Sequence, residues 1–213
     1  MTIERRGFLG EMSLGMLAVA GGTGMSRLLA NPAAENEPWL QGLAGRHKQY
    51  FDVSAHLQGA PLGRTANFFN AYVDAYSLKD SDVNVVFGAH GTAIPMVFND
   101  ALWSKYALGA KYSIDELGTR NPAVRNIFAG AGTGNAWYDP SIAALQKRGV
   151  RFLACLQAIA RVSKELASRA GVDAGAIKQE LIAGLLPGVT PVPAAIVAVN
   201  RAQEAGMTYV YVG

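Results

Sequence analysis

"GVRFLACLQAIA", residues 149–160, decides the fold. After Gly149, the run Val150 to Ala154 reads as a short buried strand. From Leu156 onward the apolar positions return at helical spacing. Leu156, Ile159, Ala160, Leu166 and Ala167 share one face, while Gln157, Arg161, Lys164 and Ser168 lie opposite. A strand that runs straight into a helix is the repeating unit of a parallel sheet, whose strands are joined by helical crossovers. The same stretch holds Cys155, the single cysteine among 213 residues. It has no second thiol to pair with inside the chain. It is therefore an inert core residue, half of an intermolecular bridge, or a working thiol.

The segments on either side repeat this alternation. "YFDVSAHL" (50–57) has the period of a strand that ends at His56, and "RTANFFNAYVDAYS" (64–77) places Phe68, Phe69, Tyr72, Val73 and Tyr76 on one helix face. "DVNVVFGAHG" (82–91) is a second strand, and "IPMVFNDALWSKYALG" (94–109) a second helix closed by Gly109. "DPSIAALQKRG" (139–149) has Asp139 as N-cap, Pro140 at the first helical position and Gly149 beyond the end. After the helix from Leu156 to Ala170 come a helix within 173–188, a short strand "VTPV" (189–192), a helix within 193–206 and a final strand "MTYVYVG" (207–213). The expectation is one α/β domain over residues 49–213. It is a three-layer sandwich with a mostly parallel sheet of about five strands and helices on both faces.

Residues 1–34 read differently. Arg5 and Arg6 stand two residues before Phe8-Leu9, and "MSLGMLAVAGGTGM" (12–25) follows as an uncharged, moderately apolar run. This order matches a twin-arginine export signal and predicts a periplasmic protein, with any membrane contact made only through an uncleaved signal. Residues 35–48 read as a polar lead-in. The leader holds Arg5, Arg6 and Arg27 against Glu4 and Glu11, so its loss takes the formal charge from +3 to +2. That small surplus, with no basic stretch interleaved with aromatics, argues against nucleic acid as a partner.

No cofactor is expected. "GAGTGNAW" (130–137) has the glycine density of a nucleotide loop, but Asn135 stands where G-x-G-x-x-G needs its third glycine, and no phosphate-loop motif occurs.

Parallel α/β sheets place their chemistry at the carboxyl ends of the strands. Cys155 falls at such an end, beside a helix N-terminus whose free N–H groups favour negative charge on sulfur. A reactive sulfur there is expected to stand open at the sheet's rim. Arg151 shares its strand face but lies about 13 Å away, too far to activate it directly. His90 closes the second strand and is a candidate proton carrier. His56 is a candidate for the same crevice, and Gln157 and Arg161 follow Cys155 as candidate contacts for an anion such as thiosulfate. His56, His90 and Cys155 together have metal-ligating atoms, but no pair has ligand spacing, so no metal site is expected.

Three stretches together, "VVFGAHGTAI" (85–94), "KRGVRFLACLQAIA" (147–160) and "LIAGLLPGVTPVPAAIVAVNRAQEAGMTYVYVG" (181–213), resemble the DsrE/DsrF-like sulfur-relay family. The similarity is greater to its exported members, which carry a twin-arginine leader and a segment like "FNDALWSKYALGAKY" (98–112). The resemblance runs from about Tyr50 to Gly213. It implies a parallel-sheet fold, a homo-oligomer and a persulfide-bearing cysteine after a central strand, at the position of Cys155. The implied function is an exported sulfur carrier or sulfurtransferase-like protein, supplied by a reduced sulfur compound or a sulfur-donor protein. The alternative is a non-catalytic small-ligand-binding or assembly protein of the same fold, with Cys155 inert and buried.

Overall fold

The computed structural model describes residues 37–130 and 140–213. Residues 1–34, expected as a leader, Asp139 and most of the glycine-rich loop lie outside the described residues. Among those described, no helix is long and apolar enough to cross a membrane.

Five strands form one sheet: β1 (His47–Val53), β2 (Val83–Ala89), β3 (Arg151–Cys155), β4 (Val189–Val192) and β5 (Thr208–Val212). Their spatial order is β4-β3-β2-β1-β5, and every neighbouring pair is parallel. The sheet is thus wholly parallel, where the sequence suggested mostly so. The helices between the strands are α1 (Ala60–Tyr76), α2 (Asp100–Lys105), α3 (Leu108–Tyr112), α4 (Ile142–Lys147), α5 (Leu156–Ala170), α6 (Ala174–Ala183) and α7 (Ala195–Glu204).

The order of strands dictates which helix covers which face. From β1 to β4 the chain steps steadily in one direction, so right-handed crossovers put α1 to α6 on one side. The last connection runs back across the sheet to β5, so α7 must lie on the other. The core divides accordingly. Val85, Phe87 and Phe152 pack with Leu62, Phe69, Trp103, Leu145, Ile159 and Leu181 on the first face. Tyr50, Val86 and Leu153 pack with Ala198, Val199 and Ala202 of α7 on the second. Alternate residues of β2 and β3 thus feed opposite cores, as a doubly covered sheet requires.

The polar lead-in is partly core. Trp39, Leu40 and Leu43 are buried with the second cluster, because α7 alone leaves that face incompletely covered. Arg151 donates to the carbonyls of Trp39 (2.7 Å) and Gln41, which fastens this segment to the sheet at the end far from Cys155.

Several boundaries differ from the sequence reading, among them the start of α1 at Ala60 and the end of β2 at Ala89. The first strand ends at Val53, and His56 caps the short turn Leu57–Gly59 instead. Residues 94–109 are not one helix. A 3-10 segment, Gly91–Val97, contains Pro95, Phe98 is extended, and Asn99 starts α2 by accepting the N–H of Leu102 at 3.1 Å. Gly109 lies inside α3, where a Cβ would meet the Ala123 backbone nitrogen at 2.6 Å. The helix expected after Asp139 begins at Ile142, with Ser141 as its cap at 3.2 Å from the N–H of Ala144.

Candidate functional site

Cys155 ends β3 and is also the N-cap of α5, its Sγ accepting the N–H of Ala158 at 3.4 Å. The same sulfur accepts the N–H of Ala195, the first residue of α7, at 3.3 Å. First-turn amides have no partner within their own helix and carry the positive end of its dipole. Two helices from opposite faces thus present partial positive charge to one sulfur. The arrangement follows from topology. β3 and β4 are neighbours, with Cys155 in register with Val192, yet the chain leaves β3 toward one face and β4 toward the other. That divergence is the switch point at which open α/β sheets form their ligand crevice.

The expectation of a sulfur standing open at the rim is corrected here. Cys155 is buried, with 6% exposure. The physical reason is the contact just described, since the first turn of α7 closes against the sulfur.

His90 follows β2 directly in extended conformation (φ −149°, ψ −167°). It comes one residue after Ala89, whose register partner is Ala154, the residue before Cys155. Its Nε2 lies 2.9 Å from Asp52 Oδ1 of β1, and the Tyr209 hydroxyl of β5 donates to Asp52 Oδ2 at 3.0 Å. Burial works against the charge on Asp52. The hydrogen bonds from His90 and Tyr209, with the charge of His90, outweigh it and hold the carboxyl below its usual range. Ser54 and Tyr211 exchange a hydroxyl hydrogen bond of 2.8 Å beside them.

Tyr50 lies two residues before Asp52 on the same strand face. Its ring is completely buried, and its hydroxyl has no hydrogen-bond partner among the described residues. It stands directly on Gly88 of β2, where a Cβ would come within 2.6 Å of Tyr50 Cζ and nearer still to the hydroxyl oxygen. Burial pushes this phenol far above its ordinary range, and charge on Asp52, Cys155 and Tyr209 adds to the effect.

The other expected residues are dispersed. His56 accepts the Gln58 N–H on Nδ1 (3.2 Å), which leaves Nε2–H to donate to the Tyr112 carbonyl (3.0 Å). Burial lowers its pKa, partly offset by that backbone bond. Gln157 is exposed on α5. Arg161 is exposed and pairs loosely with Glu165 at 3.9 Å, at a cleft of about 490 Å³ that also includes Thr92, Lys111 and Tyr112. The structure therefore brings His90 to the same sheet end as Cys155, but spends His56 on a turn. No group of three or more His, Cys, Asp or Glu among the described residues is placed to hold a metal ion. A groove of about 550 Å³ lies at the opposite end of β1, between Arg46, His47, Phe68, Tyr72 and Tyr76. Its His47 ring stacks on Tyr72 at 4.3 Å.

Sequence reasoning missed Tyr50, Asp52 and Tyr209. The first two share a face by the alternation of "YFDV", a signal that was present. Tyr209 required knowing that β5 lies beside β1.

The fold and this constellation define an open parallel α/β protein with a cysteine at its switch point. No family model matches the chain, and no curated protein matches it. Among solved structures it is similar to MTH1491 from Methanobacterium thermoautotrophicum, described as a protein of unknown function. The two are 17% identical, the match covers 78% of this chain and 99% of that one, and the TM-score is 0.41.

Proposed function

We propose that this protein is an exported sulfur carrier of the DsrE/DsrF-like kind, holding sulfane sulfur as a persulfide on Cys155. The observation that carries the reading is the convergence of the Ala158 and Ala195 N–H groups on one sulfur at the switch point. Such a pair stabilises negative charge on the attacking thiolate without needing a neighbouring cation. His90, oriented by Asp52, takes the Cys155 proton. The thiolate then attacks the outer sulfur of a donor such as thiosulfate. A new sulfur–sulfur bond forms at Cys155, the donor's own sulfur–sulfur bond breaks, and sulfite leaves with its electron pair. Because the start of α7 covers Cys155, loading requires that turn to draw back. The twin-arginine leader supports a periplasmic location, and the resemblance supports a homo-oligomer.

Intact-protein mass spectrometry after incubation with thiosulfate or polysulfide tests this. The expected result is a gain of one sulfur atom, removed by a reducing thiol and missing from Cys155→Ser. A wild-type protein that gains no mass overturns the reading. One observation favours a second reading: the 6% exposure of Cys155 suits an inert core thiol in a ligand-binding or assembly protein. That reading predicts full function in Cys155→Ser.

A further inference from the structure

A buried hydroxyl without a partner is uncommon in a folded protein, because the desolvation it suffers is not compensated. Tyr50 is such a group, and it lies on the face of the sheet that α7 covers, over Gly88, whose register partner Leu153 stands two residues before Cys155 on the same strand. The glycine at position 88 is what lets the ring lie there, since any side chain would displace the hydroxyl. The hydroxyl makes no hydrogen bond to Cys155 Sγ, whose two bonds come from Ala158 and Ala195. A second sulfur bonded to Sγ extends the side chain by about 2 Å, and its terminal atom carries the negative charge.

We propose that the Tyr50 hydroxyl is the hydrogen-bond donor to the outer sulfur of a Cys155 persulfide, unpartnered in the empty protein and satisfied in the loaded one. This deepens the sulfur-carrier reading and rests on it. Loading exchanges one sulfur–sulfur bond for another: Cys155 thiolate plus thiosulfate gives Cys155 persulfide anion plus sulfite, with charge and atoms conserved. Tyr50 transfers no proton in this step and stabilises only the product.

The test compares the full-length protein with Tyr50→Phe at a series of thiosulfate-to-sulfite ratios, reading the loaded fraction by intact mass. The thermal unfolding of each unloaded protein is measured alongside. A hydrogen bond to a charged acceptor corresponds to a shift of roughly tenfold or more in this equilibrium. Tyr50→Phe is therefore expected to need roughly a tenfold higher ratio for half-loading, while its unloaded form melts no lower than wild type. Equal loading of the two proteins overturns this inference and leaves the carrier reading standing. A clearly lower melting temperature in unloaded Tyr50→Phe overturns it too, since the hydroxyl would then be engaged in the empty protein. If wild type does not load at all, both fall.

Discussion

The sulfur of Cys155 accepts a hydrogen bond from the backbone N–H of Ala195, forty residues further along the chain, at 3.3 Å. This bond ties the start of α7 to the end of β3 and so fastens together the two faces of the sheet. Replacing Cys155 by alanine removes the acceptor for two buried amides at once. Cys155→Ala is expected to lose about 1–3 kcal/mol of unfolding free energy, the cost of leaving buried donors unmet. Cys155→Ser keeps an acceptor and is expected to lose less. Urea unfolding curves of the three proteins at constant slope check the order. An alanine variant as stable as wild type would show that the two amides do not depend on the sulfur.

Gly88 has a different role, set by the ring above it. Adding a methyl at this position drives it into Tyr50 from a strand that cannot move without disturbing both neighbours. Gly88→Ala is expected to cost about 1–3 kcal/mol, the usual range for overpacking a tight core. Chemical denaturation measures it, and a neutral result would mean that the ring swings aside freely.

Asp52 links the site to pH. Its carboxyl titrates below the ordinary value of about 3.9 in the folded state. Its contribution is therefore complete above that value and is lost as pH falls through the depressed folded pKa. Wild type should exceed Asp52→Asn in stability at pH 7, and the gap should narrow as the pH is lowered from about 5 toward 3. Denaturation midpoints across that interval test the sign. A gap that widens on acidification contradicts the hydrogen bonds assigned to His90 and Tyr209.

Much of the frame was written locally. α5 spans Leu156–Ala170 and β4 spans Val189–Val192, where strand run, apolar stripe and glycine stop all agreed. The stretch 94–109 misled because Ile94 to Phe98 are buried on every side, so their apolar character carried no period. The interruption at Asn99 was signalled only by a capping residue. The site was half legible. The position of Cys155 at a strand end followed from the alternation, but its burial did not. That depends on α7 arriving from across the sheet, a consequence of strand order. The same holds for Tyr50 over Gly88, diagonal neighbours in a register that pairs Tyr50 with Val86 and Asp52 with Gly88.

The account stands most directly on whether Cys155 reacts while the protein remains folded. The rate of iodoacetamide alkylation can be followed by mass spectrometry in buffer and in rising concentrations of urea below the unfolding transition. The account predicts steady modification of native protein at a rate nearly independent of urea, because only the first turn of α7 must withdraw. Modification that tracks global unfolding, with none in buffer, would contradict it and leave Cys155 a core residue.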